Sequence, residues 1–411
     1  MTPLRRLPPG GSTVTTAELR AVLRDGASPD ALRTALRARL GAVRVQLFGS
    51  GREALRVALV AIASQSRRRE VIVPAYTCFS VPSAVVAAGL RVRLVDLTES
   101  GAIDPASLER LPLERAAALV VGNLFGVAEP VAPLLAKLRP AGVALVDDAA
   151  QALGAQAEGA PAGARGDVGV LSFGRGKPLE ALGGGGLIWP ESAARIPPEP
   201  PVEPPARLAA LFALLGYWLA SSGLVFRWLA AVPALGIGTT RFDPGFAQGG
   251  LRGRALSIAV VRAAQLRARE ELRIAEATRL AHELREGTSL VPLLAPAGDR
   301  GVYPRLAVLA PDADSKEAAL AALDDLGAGA SRMYPTPLEL AEGLAPFVEP
   351  GPPCVGARGF CARLLTLPTH GRWSQRQRDA VLSALRSVAP GPLGSHAQPA
   401  RSGAPVEVRG R

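Results

Sequence analysis

Two stretches of the sequence decide the fold: VDDAAQALGA at residues 146–155 and GDVGVLSFGRGKPLEALGGGGLI at residues 166–188. The first follows the apolar run VALV, which ends at residue 146, and the second contains the apolar run VGVL at residues 168–171; each run passes into acidic, amide, lysine or glycine residues. Buried strands that end in polar loops are typical of a parallel α/β sheet, in which ligands bind where the carboxyl ends of the strands meet. The two stretches therefore predict the binding edge of such a sheet.

The sequence around these stretches alternates between strand-like and helix-like runs from Ala42 to Ile188. GREALRVALVAIAS at residues 51–64 has apolar residues at helical spacing. The strand-like runs are VRVQLF, EVIVPA, RVRLVDL, ALVVGNLF, GVALVDDAA, DVGVLSF and GGGGLIW. We therefore predict an α/β fold with a large, mainly parallel sheet between helices.

The composition excludes several classes of protein. The chain has 411 residues, of which 48% are hydrophobic and 20% charged, so it is long enough for two or three folded domains. Its three cysteines and three histidines are scattered, and we expect neither a disulfide framework nor a metal site. The net charge is +11, but aromatic residues make up only 4%, so we expect no nucleic-acid partner.

Changes in composition divide the chain into four parts. Residues 1–195 contain the α/β pattern and form the predicted large domain. Residues 196–245 contain a proline-rich break and a hydrophobic insert, and residues 246–389 combine a helical run with a smaller α+β domain. Residues 390–411 lack apolar periodicity, and we predict a disordered tail.

Three positions at strand ends carry candidate chemistry. Asp147 and Asp148 are adjacent on a strand, so their side chains point to opposite faces and only one can serve a given site. Lys177 is one of only three lysines in an arginine-rich chain. It is either a surface charge or an amine that reacts with a carbonyl group, which a guanidinium cannot do.

These runs resemble the signature of the pyridoxal-phosphate-dependent sugar aminotransferases of the DegT/DnrJ/StrS family. The resemblance continues in GSGREAL at residues 49–55 and in the run from residue 71 to 97. It is found again in MYPTPLEL at residues 333–340 and LLTLPTHGRWS at residues 364–374. It implies the fold of type I pyridoxal-phosphate enzymes, with a large α/β/α domain and a smaller C-terminal α+β domain.

The resemblance also implies roles for individual residues. Lys177 would hold pyridoxal 5'-phosphate covalently and move protons, and Asp148 would pair with the protonated ring nitrogen. Gln151 would lie beside the ring, and Ser172 would bind the phosphate. The other implied cofactor-binding residues are Ser50, Gly51 and Arg52, which begin a helix and otherwise form a plain N-cap, and Cys78.

The sequence departs from the family pattern at three points. Cys78 stands where the family usually has an aromatic residue, with Tyr76 and Phe79 beside it, and any of the three is a candidate to cover the ring. The turn GGLRGRALS at residues 249–257 lacks the family's asparagine, and Arg252 or Arg254 is the candidate substitute. Glu339 replaces the family's histidine in PTPLEL.

The function expected from this resemblance is transfer of an amino group, with glutamate as donor, to a keto sugar carried on a nucleotide. Its product would serve polysaccharide, glycolipid or secondary-metabolite synthesis in the cytoplasm, and the enzyme would be a homodimer. A dehydratase of the same family is disfavoured because those enzymes replace the lysine with histidine. A non-catalytic regulatory or membrane-associated protein is disfavoured because Lys177, Asp148 and Ser172 are all retained.

The hydrophobic insert is the part of the chain that resembles the family least. Residues 208–226 are uncharged over 19 positions, which is long enough for a membrane-spanning helix. A single span would separate Lys177 from the C-terminal domain and is therefore disfavoured. Three alternatives remain: a buried helical hairpin, a contact between subunits, or a peripheral membrane contact through residues 208–238 at the inner membrane face.

Overall fold

The computed structural model describes residues 6–24, 27–230 and 240–391. Its centre is a seven-stranded sheet in the order β1-β9-β8-β5-β4-β2-β3. The strands of this sheet are β1 (Val43–Phe48), β2 (Glu70–Pro74), β3 (Arg91–Val95), β4 (Ala116–Gly122), β5 (Ala144–Asp148), β8 (Val168–Ser172) and β9 (Gly185–Pro190). Only β9 runs antiparallel to the other six strands. A short hairpin joins β6 (Gln156–Ala157) and β7 (Ala160–Pro161).

Helices cover both faces of this sheet. Those of the large domain are α1 (Thr16–Ala21), α2 (Pro29–Leu40), α3 (Gly51–Ala63), α4 (Ser80–Ala87), α5 (Pro105–Glu109) and α6 (Ala132–Ala141). The central strands are apolar on both faces, and β4 (AAALVVG) is buried at its first six residues. A sheet buried on both faces confirms the predicted α/β class.

The C-terminal domain is built on a smaller antiparallel sheet. Its strands are β10 (Val291–Leu293), β11 (Arg305–Leu309) and β12 (Leu364–Pro368), in that order. Its helices are α10 (Leu266–Gly287), α11 (Ala313–Asp325), α12 (Val355–Arg363) and α13 (Gln375–Val388). The preceding α9 (Gly253–Ala264) is separated from α10 by Gln265, at which the single predicted helical run is broken.

The hydrophobic insert forms two helices, α7 (Arg207–Ala220) and α8 (Gly223–Ala230). The uncharged run 208–226 is therefore not one helix, because Ser221 and Ser222 interrupt it. Among the described residues, no single helix is both long and apolar enough to cross a membrane. The two insert helices meet that length and composition only together, with a bend of 87° between them. Residues 231–238 of the predicted insert and 392–411 of the predicted tail lie outside the described residues.

Candidate active site

Asp147 and Asp148, at the end of β5, have different surroundings. The Asp147 carboxylate is fully buried and accepts hydrogen bonds from Arg165 Nε at 3.0 Å and Arg165 Nη2 at 2.8 Å. It also accepts from the Gly163 N–H at 2.8 Å and from Asn123 Nδ2 at 2.7 Å. Because every direction around this carboxylate is occupied by a donor, Asp147 fixes the loop that carries Arg165 and is not open to a ligand.

Asp148 belongs instead to the end of the sheet that carries Lys177. Its Oδ1 accepts a hydrogen bond from the Ala150 N–H at 2.9 Å. Burial raises the pKa of the Asp148 carboxyl, while this hydrogen bond and the positive charge of Lys177 act in the opposite direction. Lys177 lies in the loop that follows β8, and its Nζ has no hydrogen-bond or salt-bridge partner among the described residues. The loop therefore offers an amine that has no partner among the described residues and whose positive charge acts on the Asp148 carboxyl.

Glu180 holds the loop that carries this lysine. Its buried side chain accepts hydrogen bonds from the Gly176 N–H and the Ser12 N–H, both at 2.8 Å. The Arg262 guanidinium balances its charge at 3.5 Å. Gly176, next to the lysine, has a φ of +71°, which favours glycine. The position of Lys177 is therefore fixed by the loop's backbone rather than by contacts of its amine.

The start of α3 forms a cradle that suits a phosphate. Ser50 is the N-cap, and its hydroxyl accepts from the Glu53 N–H at 3.1 Å. Ser50 pairs with Gly184 in an isolated parallel bridge, which brings the Gly51 N–H toward the Gly184 carbonyl, while the Arg52 N–H has no acceptor among the described residues; both N–H groups belong to the positive end of a 13-residue helix. A Cβ at Gly51 would lie 2.9 Å from the Ser172 Cβ, so only glycine allows this approach. The Ser172 hydroxyl thus lies next to these N–H groups.

The four-glycine run explains how β9 approaches the start of α3. A Cβ at Gly185 would lie 2.3 Å from the Gly51 nitrogen, and one at Gly184, where φ is +94°, would lie 2.4 Å from Leu251. A side chain at Gly185 would push the start of α3 away from the sheet, and one at Gly184 would collide with Leu251 and Phe173. The glycines therefore keep the first turn of α3 against the ends of β8 and β9.

The structure gives the Arg52 side chain a different environment from its backbone. The guanidinium is 3.6 Å from the Asp243 carboxylate and 5.0 Å from the centre of the Phe246 ring. It is thus partly neutralised within its own chain. At residue 52 the backbone N–H group, rather than the guanidinium, is therefore the candidate phosphate contact.

Gln151 connects the two domains at the site. Its Oε1 accepts from the Phe125 N–H at 3.2 Å, and its Nε2 donates to the Tyr334 hydroxyl at 2.9 Å. Tyr334 belongs to the loop before α12 in the C-terminal domain, and its hydroxyl is in hydrogen-bonding contact with Cys78. Burial raises the pKa of Tyr334 well above its usual value, so this hydroxyl stays protonated.

The three candidates to cover the cofactor ring differ in exposure. Tyr76 and Phe79 are buried, and the Tyr76 ring packs 5.2 Å from Phe360 and 5.7 Å from Tyr334, centre to centre. Cys78 alone of the three is partly exposed. The two aromatic rings are therefore part of the packing behind the site, and Cys78 stays the candidate for the ring face.

Arg305 at the start of β11 is a site residue that the sequence analysis missed. Its Nη1 is 3.5 Å from both the Ser331 Oγ and the Met333 Sδ, and it forms no salt bridge with the described residues. A Cβ at Gly176 would lie 3.7 Å from its Nη2, so the guanidinium lies against the Lys177 loop. Burial lowers the pKa of Arg305. A desolvated cation without a carboxylate partner favours an anionic ligand.

The sequence analysis also did not identify Asn123 as a neighbour of the aspartate pair, and its place in the fold shows why. Its Nδ2 donates to Asp147, and its Oδ1 accepts from Arg165 Nη2 at 2.7 Å. A single asparagine after an apolar run reads as an ordinary loop residue. Only the sheet order, with β4 beside β5, brings it to the aspartate pair.

The other two departures from the family pattern lie away from Lys177. The turn that begins at residue 249 packs against its own subunit, since the Gly49 N–H donates to the Gly249 carbonyl at 2.8 Å. Arg252 and Arg254 are exposed at the start of α9. Glu339 forms a salt bridge with Arg358. None of these three side chains contacts the amine in the described structure.

Solved structures share this architecture over nearly the whole chain. The aminotransferase PseC of Helicobacter pylori, involved in the biosynthesis of pseudaminic acid, aligns with a TM-score of 0.73 at 16% identity, covering 94% of this chain and 99% of PseC. The putative sugar aminotransferase Spr1654 of Streptococcus pneumoniae, in its pyridoxal-phosphate form, aligns at 0.73 and 18% identity, covering 93% and 98%. The fold is that of pyridoxal-phosphate-dependent aminotransferases.

Sequence comparison identifies the family of the large domain. Residues 12–195 match the model of the DegT/DnrJ/EryC1/StrS aminotransferase family. A UDP-N-acetyl-3-dehydro-alpha-D-glucosamine 3-aminotransferase of Acidithiobacillus ferrooxidans is 34% identical over 140 residues. The erythromycin biosynthesis sensory transduction protein EryC1 of Saccharopolyspora erythraea is 37% identical over 141 residues. Each match covers 34% of this chain and 38% of the relative. The predicted resemblance is thereby confirmed for the large domain.

Proposed function

We propose that the protein is a pyridoxal-phosphate-dependent aminotransferase that transfers an amino group to a keto sugar carried on a nucleotide. The observation that carries the proposal is the Lys177 amine next to a phosphate cradle, an amine that has no partner among the described residues and whose positive charge acts on the Asp148 carboxyl. The family of the large domain and the fold of the whole chain support it.

The residues present fit pyridoxal 5'-phosphate. The N–H groups of Gly51 and Arg52 and the Ser172 hydroxyl would hold the phosphate. Asp148 would hold the pyridine nitrogen in its protonated state, because a buried carboxylate is stabilised by a cation brought beside it. When bound, the cofactor supplies an electron sink for the carbon that exchanges its amino group.

The chain's own groups supply the proton transfers and the positioning. The Lys177 amine would take a proton from the substrate carbon on one side of the reaction and return it on the other. Gln151 and Tyr334 would form a fixed wall of the site, since the Gln151 side chain donates a hydrogen bond to the Tyr334 hydroxyl. Arg305 would bind the carboxylate of the amino donor, which would provide the counter-charge that the guanidinium lacks.

A keto-sugar substrate is supported by the proteins that the chain resembles. Besides the Acidithiobacillus enzyme, a GDP-perosamine synthase of Caulobacter vibrioides is 34% identical over 140 residues, covering 34% of this chain and 37% of that protein. Nucleotide sugars are named in both. We infer the same substrate class here, with glutamate as the donor.

We also propose a cytoplasmic homodimer. The exposed start of α9, with Arg252 and Arg254, is the surface that the family resemblance assigns to the neighbouring subunit's site. Light scattering at micromolar concentration should give about twice the mass of the chain. A fully active monomer would contradict this assembly.

The experiment for the function is cofactor loading followed by amino transfer. Purified protein given pyridoxal phosphate should absorb visible light, and borohydride reduction should fix the cofactor on Lys177, as read by peptide mass spectrometry. Glutamate and a UDP- or GDP-linked keto sugar should then yield 2-oxoglutarate and an amino sugar. Lys177→Ala is the matched control, because the partly exposed amine has no structural partner. Protein that stays colourless with added cofactor favours a non-catalytic protein instead.

A further inference from the structure

The outer side of α7 and α8, two helices that meet at an 87° bend, is an exposed apolar surface, here named the hairpin face. Phe212, Trp218 and Trp228 are 68%, 58% and 70% exposed. The full set of its large apolar residues is Leu208, Phe212, Leu215, Trp218, Leu219, Leu224 and Trp228. A contiguous patch of this kind on a folded protein marks an interaction surface.

The pattern along α7 shows that this face is additional to the packing of the helix. Ala210 and Leu214 are buried against the body, and Tyr217 follows them on the same side. Leu208, Phe212, Leu215 and Leu219 follow a second stripe at the spacing i, i+4, i+7 and i+11. A helix that is apolar on both sides, with one side already packed, needs a partner on the other.

The hairpin is fixed to the body, so its outer face is held outward. The Tyr217 ring centre lies 5.8 Å from the guanidinium of Arg262, which forms a salt bridge with Glu180, the residue that holds the Lys177 loop. Arg372 Nη2 donates to the Ser221 carbonyl at 2.7 Å, and the Arg6 N–H donates to the Gly223 carbonyl at 3.0 Å. These bonds anchor both helices near their junction.

The charge of residues 208–230 indicates which kind of partner the hairpin face would bind. From residue 208 to residue 230 the only charged side chain is Arg227, whose guanidinium lies 5.5 Å from the Trp228 ring centre. A second copy would bring no carboxylate from this segment to pair with Arg227. An anionic lipid surface supplies that counter-charge, and tryptophan beside arginine is typical of the headgroup region.

We propose that the hairpin face docks on a membrane that contains anionic phospholipids, with α7 and α8 lying in the interface. The 87° bend and the anchored inner side keep the hairpin from spanning. This docking is independent of the proposed reaction, because it uses no residue of the amine site. It is therefore measured without substrate.

The test is flotation of the full chain, loaded with pyridoxal phosphate, on vesicles. The wild type should bind phosphatidylglycerol–phosphatidylcholine vesicles and bind pure phosphatidylcholine more weakly. The variant F212S/W218S/W228S should bind the anionic vesicles at least about 100-fold more weakly, because three exposed side chains no longer enter the interface. R227Q should weaken binding about fivefold.

The matched control is L272S/V355S, which changes residues that are 72% and 68% exposed elsewhere on the surface. It should bind like the wild type. The triple variant keeps the net charge of +11, so binding that survives it unchanged would be non-specific and would overturn the proposal. The proposal would also be overturned if the wild-type protein did not float with the anionic vesicles. A change in oligomeric mass in the triple variant would overturn it as well, because it would assign the face to a contact with a second copy.

Discussion

Replacing Asp147 with asparagine should destabilise the protein severely, whereas the same change at Asp148 should leave it folded. Asp147 and Arg165 form a salt bridge in which the side chains are 0% and 2% exposed. The carboxylate accepts two bonds from this guanidinium. Asparagine would leave Arg165 buried without its counter-charge and would turn an amide N–H₂ group toward existing donors.

The size of the effect follows from the burial. Breaking a buried ion pair by removing one partner costs about 3–5 kcal/mol, which is roughly two to four orders of magnitude in the folding equilibrium. Asp148 accepts one backbone hydrogen bond, which the amide oxygen of asparagine can also accept. We therefore expect Asp148→Asn to change stability by less than about 1 kcal/mol while reducing amino transfer about a hundredfold or more.

Thermal unfolding monitored by circular dichroism separates the two variants. At about 2–4 °C per kcal/mol for a domain of this size, Asp147→Asn should lower the first transition by about 6–20 °C. The visible absorbance of bound cofactor gives a second reading, which Asp148→Asn should retain. A midpoint for Asp147→Asn within 2 °C of the wild type would refute the reasoning, as would a larger loss in Asp148→Asn.

Four further measurements test other parts of the structure. Burial raises the pKa of the Glu129 carboxyl to about 7, so the protein should lose stability as the pH rises from about 4.5 to 7. Glu129→Gln should remove this loss in thermal unfolding recorded at a series of pH values. Burial lowers the pKa of His370 to about 4, so stability is lost as the pH falls from about 6.5 to 4, and His370→Gln should flatten that acid limb. Gly51→Ala should weaken pyridoxal-phosphate binding in absorbance titrations, because its Cβ would press on Ser172. Arg305→Gln should raise the KM for glutamate about 10- to 100-fold and leave the KM for the keto sugar unchanged. Arg305→Lys should restore part of the affinity for glutamate. A rise in the KM for the keto sugar alone would mean that the guanidinium binds the nucleotide phosphates.

The parts of the fold that the sequence predicts are those with local signals. Runs such as ALVVGNLF are buried on both faces, and their connections are long enough for helices, so a mainly parallel sheet follows from pattern alone. The aspartate pair and Lys177 follow from the same logic, because strand ends in one sheet converge, whereas the choice of Asp148 and the role of Ser172 come from the family resemblance. The glycines at residues 183–186 were associated with close backbone approach, which the position of β9 against α3 explains.

The parts that the sequence misses depend on distant contacts. Tyr334 meets Gln151 across 183 residues, and Arg305 reaches Gly176 from another domain. Neither has a local pattern that marks it. The break of the insert at residues 221–222 is likewise set by packing, since Tyr217 packs beside the Arg262 guanidinium while Arg372 donates a hydrogen bond to the Ser221 carbonyl.

The site is therefore encoded in two ways. Its predicted cofactor half comes from the strand ends at residues 147–177 and from the start of α3 at residues 50–52, which the order of the strands brings together. For its substrate half we propose Arg305 and Tyr334, which approach only when the C-terminal domain docks on the large domain. The cofactor half would bind a group that stays the same, and the substrate half would bind a group that varies. We therefore expect substitutions at residues 303–340 to change the choice of substrate without loss of cofactor binding. The cofactor signature can thus survive in a chain whose family match ends at residue 195, while the residues that choose the substrate lie beyond it.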